Sequence, residues 1–107
     1  MPRYLWQVSY TPEGLEGVLK DGCSKRRQVV QQLVESLGGR MELFAYALGN
    51  DDAIIVAQLP NNMSAAAVSI VVNAGGGATI RASVLVTPEE VDQAAAKRAG
   101  YEPPQQK

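Results

Sequence analysis

The sequence contains no histidine, a single cysteine, and only one tryptophan and one phenylalanine. Without histidine, the usual general base near neutral pH and the commonest metal ligand are both missing. Histidine-dependent serine or cysteine triads, histidine-ligated zinc and histidine-ligated haem are therefore excluded. Carboxylates, Tyr, Lys, Arg and one thiol remain for chemistry. The lone Cys23 cannot form an intrachain disulfide, in keeping with a reducing compartment. Charge of one sign is also lacking: 10 Lys and Arg stand against 11 Asp and Glu, a formal net charge of −1. No global pull toward nucleic acid or anionic lipid follows from that balance. No apolar run is long enough to cross a bilayer, and Met1-Pro2-Arg3 does not lead into a signal-peptide core. The expectation is a soluble, cytoplasmic protein with no metal, cofactor, nucleic acid or membrane as partner.

What is present suffices for one core. The 107 residues, 46% of them apolar, fit a single domain over residues 1–100, followed by an extended tail over 101–107. The order of patterns is the strongest signal. Arg3 to Tyr10 is strand-like, with Tyr4, Trp6 and Val8 on one face and Leu5, Gln7 and Ser9 on the other. Thr11-Pro12-Glu13 reads as a helix start. Leu15, Val18 and Leu19 continue with helical spacing until Asp21-Gly22 interrupts it. Ser24 is placed to cap a second segment with Val29, Val30, Leu33, Val34 and Leu37 as its apolar stripe. The reading is either helix-break-helix or one helix kinked near Gly22, stopped by Gly38-Gly39.

Strands are expected at about Met41 to Leu48 and Ala53 to Leu59, joined by a hairpin turn at Gly49-Asn50-Asp51-Asp52. Pro60 ends the latter strand, and Asn61-Asn62 can cap a helix from about Met63 to Asn73. After Gly75-Gly76-Gly77 comes a strand from about Ala78 to Val86. Thr87-Pro88-Glu89-Glu90 then opens a short final helix reaching Gly100. The sum is an α+β fold: a ferredoxin-like βαββαβ unit with a four-stranded antiparallel sheet, helices on one face, and an extra C-terminal helix.

A sheet covered on one side leaves its reverse to be explained. Simple alternation assigns Gln7, Ser9, Glu42, Phe44, Tyr46, Thr79, Arg81 and Ser83 to that reverse. Gln58 joins them if the hairpin loop has three residues, Ile55 if it has four. Such a face suits a subunit interface or a cavity lining. Charges there need partners, and Glu42 and Arg81 are candidates to pair with each other.

Several segments resemble the GYD-domain family. They are Ser9-Tyr10-Thr11-Pro12-Glu13-Gly14-Leu15, Ser24-Lys25-Arg26-Arg27, Leu37-Gly38-Gly39, Gly49-Asn50-Asp51-Asp52, Leu59-Pro60-Asn61-Asn62, Val72-Asn73-Ala74-Gly75-Gly76 and Leu85-Val86-Thr87-Pro88-Glu89-Glu90. Gly49 and Asp52 match the signature for which the family is named, while Asp51 stands where it has tyrosine. The resemblance implies a ferredoxin-like fold of the dimeric α/β-barrel type and no particular activity. Similar barrels include cofactor-free monooxygenases, isomerases and haem enzymes, so fold alone leaves the chemistry open.

Other candidates have plainer readings. Cys23 beside Lys25-Arg26-Arg27 has the setting of an activated thiol, yet no histidine or second cysteine assists it. The cationic run reads as a solvated helix face, and Asp51-Asp52 as turn formers. Gly75-Gly76-Gly77 follows a helix, the reverse of a phosphate-binding loop. The leading expectation is a small homo-oligomer that buries its open sheet face and binds a small molecule there. Gln7, Ser9, Tyr46, Arg81 and Ser83 would be the ligand-binding residues. The alternative is a cofactor-independent enzyme on a small organic substrate, using Tyr46, Glu42 or Arg81 for proton transfer or charge stabilisation.

Overall fold

Strand β1 (Arg3–Tyr10) runs through the middle of the molecule. The structure, a computed structural model, describes residues 1–104, so the last part of the expected tail, 105–107, lies outside the described residues. Helix α1 (Pro12–Asp21) starts as its sequence dictates: the Thr11 side chain accepts the Gly14 N–H, and Pro12 occupies the first turn, where no donor is needed. It ends at Gly22, whose φ of +93° is a conformation that side chains disfavour. The chain therefore breaks there rather than kinking. Helix α2 (Cys23–Ser36) begins at once, with Gly22 and not Ser24 in the cap position, and no side chain caps it.

Strands β2 (Arg40–Tyr46) and β3 (Ala53–Gln58) form the hairpin; helix α3 (Asn62–Ala74), strand β4 (Ala78–Leu85) and helix α4 (Pro88–Ala96) follow. Asn61 caps α3 through its side-chain oxygen, and Thr87 with Glu90 forms a reciprocal capping box at α4. The four strands make one antiparallel sheet in the order β2-β3-β1-β4. This is the ferredoxin-like α+β arrangement.

The core lies between the sheet and helices α2 and α3. Tyr4, Trp6 and Val8 of β1, Ala53, Ile55 and Ala57 of β3, and Ile80 of β4 meet Val34, Ala65 and Val68 from above. Alanines on β3 and α3 let the layers approach closely. The polar ends of the two large aromatics are satisfied: Tyr4 Oη donates to Asn62 Oδ1 at 2.7 Å, and Trp6 Nε1 to Ser69 Oγ at 3.2 Å.

The C-terminal arm departs from this economy. Val84 and Val86 are 56% and 59% exposed, and every residue of α4 is exposed. The radius of gyration is 17.2 Å, against about 13 Å for a compact domain of this length.

Candidate functional site

One residue in β2 decides which side chains share the open face. The β2–β3 register shifts between Met41 and Leu43, leaving Glu42 as a bulge residue. Beyond a bulge, alternation resumes on the opposite phase. Phe44 therefore pairs with Ile55, and Tyr46 with Ala53, both of which lie under the helices. The expectation that Phe44 and Tyr46 lie on the open face is corrected: both face the helices. The hairpin ambiguity also closes, since Ile55 is core and Gln58 pairs with Arg40 and Arg3 on the open side.

The open face can be read across the strands. Leu43, Val56, Leu5 and Ser83 lie side by side, and so do Ala45, Ile54, Gln7 and Arg81; Ser9 and Thr79 form the next pair along. The centre is thus apolar on β2, β3 and β1, and polar along β4. Gln7, Ser9, Arg81 and Ser83 come together at that polar margin, as neighbours across β1 and β4.

A residue set aside as a turn former organises this margin. Asp51 reaches from the hairpin over the sheet, accepting from Gln7 Nε2 at 3.0 Å and from Arg81 Nη2 at 3.2 Å. Arg81 therefore pairs with Asp51 and not with Glu42. Asp52 does different work, accepting the Tyr10 N–H at 2.8 Å while its own N–H donates to the Val8 carbonyl. It thus continues the β1–β3 ladder past the end of β3. Asp52→Ala is expected to cost about 1.5–3 kcal/mol, the range for a hydrogen bond to a charged group, read by urea unfolding.

Glu42 finds its partner at the other end of the face. The Arg3 guanidinium grips both of its carboxylate oxygens, the outer contact being 3.2 Å. This hydrogen bond holds the Glu42 carboxyl below its ordinary value. The folded-state value is depressed, so the pair's contribution is present above the ordinary carboxylate value and is lost as pH falls through the lowered one. Both groups meet solvent, so the contribution is small and salt-screened. Glu42→Gln should narrow the stability gap between neutral and acid pH, and added salt should erase the difference from the wild type.

On the helix side, Tyr46 Oη donates to the Cys23 carbonyl at 3.0 Å and its ring meets Phe44 edge-on. Burial, with Tyr10 and Cys23 nearby, pushes the Tyr46 phenol up to about 12. It keeps its proton throughout the neutral range and acts as a donor, not a base. Burial likewise lifts the Tyr10 phenol, against the opposing charge of Arg26. Glu42, Tyr46 and Arg81, the groups offered for proton transfer, do not converge within the chain. Among the described residues no group of three acidic or thiol side chains is arranged to hold a metal ion. No helix among them is long and apolar enough to cross a membrane.

The architecture and the half-apolar open face define a ferredoxin-like α+β protein. The family model for the GYD domain matches residues 4–95, and the chain belongs to that family. No curated protein matches it.

Proposed function

We propose that the protein works as a homo-oligomer whose open sheet face is buried against a second copy, and that the polar margin of this face binds a small molecule between the subunits. The observation that carries the reading is the apolar centre at Leu43, Val56 and Leu5, which helices α1 to α3 leave bare. Sheets packed face to face bury such centres at a separation of about 10 Å. Charge supports the reading too, because Arg81 brings Asp51 with it and so enters an interface already paired.

Size argues for a further contribution. Four strands of six to eight residues present a flat area of roughly 20 Å by 25 Å, below the ~800 Å² per partner of a standard interface. The C-terminal arm, with Val86 59% and Val91 50% exposed, is suited to supply the difference.

At the margin, Gln7, Ser9, Arg81 and Ser83 offer donors to one small anionic or polar ligand, and Arg81 retains guanidinium donors beyond its contact with Asp51. A fragment screen by amide chemical shifts tests this. Anionic hits should move the amides of these residues, and Arg81→Ala should abolish those hits while leaving the assembly mass intact. Hits that survive Arg81→Ala contradict the site.

A further inference from the structure

We infer that the cleft between α1, α2 and α3, on the opposite side of the sheet, is a binding site for a small apolar carboxylate. Its volume is about 340 Å³, at the lower end of the ~300–1,000 Å³ typical of small-molecule sites. Val18, Val29, Leu33 and Val72 supply apolar walls. Polar side chains are few: Arg26 and Tyr10, with Asp21 also on the lining. Arg26 is half-buried and, among the described residues, makes no ion pair, with Asp21 or with any other carboxylate. A guanidinium fork beside a protonated phenol matches a carboxylate's two oxygens.

Gly17 is an independent sign that the space is kept open. It sits inside α1, where glycine weakens a helix relative to alanine. Gly14, three residues earlier, has a packing reason, because a Cβ there would collide with the Gly77 carbonyl oxygen. Gly17 has none: a Cβ would meet no atom within 4 Å, and the residue lines the cleft. Sharing Tyr10, Arg26 and Leu33 with the cleft is a second, mostly apolar hollow of about 40 Å³ that reaches Trp6 and Phe44. A chain held by its carboxylate at Arg26 has an apolar place for its tail.

Octanoate and octanol, titrated into the full chain, test the inference through Trp6 fluorescence and amide shifts. Octanoate should bind saturably, with shifts centred on Gly17, Arg26 and Val72. Arg26→Gln should weaken octanoate about ten-fold or more and leave octanol unchanged. Gly17→Leu should block both, and its circular dichroism and melting temperature show whether α1 is intact. Gly17→Ala, a milder filling, should weaken both in a protein that melts no lower than the wild type. Arg81→Ala should leave the octanoate shifts at Gly17, Arg26 and Val72 unaltered, so this site and the open-face site can fail separately. Absence of saturable binding, shifts gathered on the open face, or equal binding by wild type and a folded Gly17→Leu would each overturn the inference.

Discussion

Val56→Arg should give a folded chain that no longer assembles. Val56 lies at the centre of the open face, between Leu43 and Leu5, and is only half-buried in the single subunit. A charge there meets water when the subunit is alone, so folding should change by no more than about 1 kcal/mol. In the assembly the same charge would be enclosed between the apolar centres of two sheets. An unpaired buried charge costs about 3–5 kcal/mol, and each 1.4 kcal/mol is a factor of ten in affinity. The dissociation constant should therefore rise by roughly two to four orders of magnitude. Sedimentation velocity reads the change directly. Leu19→Arg is the control: Leu19 is 82% exposed on α1, away from the open face, and its variant should keep the wild-type mass. If Val56→Arg sediments as the wild type does, the open face is not the interface.

Gly14→Ala should be strongly damaging for a single-methyl change, and Gly17→Ala, three residues on, should act in the opposite direction. At Gly14 the added carbon runs into backbone, the Gly77 carbonyl, which cannot turn aside as a flexible side chain would. The start of α1 is tied to that same segment: the Thr11 N–H donates to the Gly77 carbonyl at 3.0 Å and its hydroxyl to the Gly76 carbonyl at 2.9 Å. Overpacking costs about 1–3 kcal/mol, and each displaced hydrogen bond adds about 1 kcal/mol. The gain in helix propensity, about 1 kcal/mol, offsets only part of this. A net loss of roughly 2–3 kcal/mol should lower the melting temperature by about 10–20 °C in a domain of this size. Gly17→Ala makes no collision and keeps the propensity gain, so it should melt a few degrees higher. Equal effects at the two positions would show that α1 does not dock on the Gly75–Gly77 segment as described.

Much of the fold was legible because its punctuation is local. Thr11-Pro12, Asn61 and the Thr87–Glu90 box each act within a few residues, and each does in the structure what its chemistry predicts. The misreadings have a common physical origin in contacts distant along the chain. Nothing local marks Glu42 as a bulge. The register follows from its grip on Arg3 and from Phe44 packing against the core, and one displaced residue moved Phe44 and Tyr46 to the other side. Asp51 reads as a turn former because its partners, Gln7 and Arg81, are far away in sequence. Ser24 reads as the better cap, but the break falls at Gly22, whose positive φ separates the two helices and puts it in the cap position. At the candidate site, the period of two in β1 and β4 correctly gathered Gln7, Ser9, Arg81 and Ser83 on one face. The cleft beside Arg26 escaped notice because a vacant position such as Gly17 looks, in sequence, like a weak helix residue. The exposure of α4 was equally hidden: its capping box specifies a helix but not what the helix packs on.

The central claim, that the bare side of the sheet meets its like in a second copy, is tested most directly by isotope-filtered nuclear Overhauser spectroscopy on a mixture of labelled and unlabelled chains. The account predicts intermolecular contacts among the methyl groups of Leu5, Ile54, Val56 and Leu43. Intermolecular contacts confined to other surfaces, or a solution mass of 11.4 kDa with those methyls open to a paramagnetic cosolute, would contradict it.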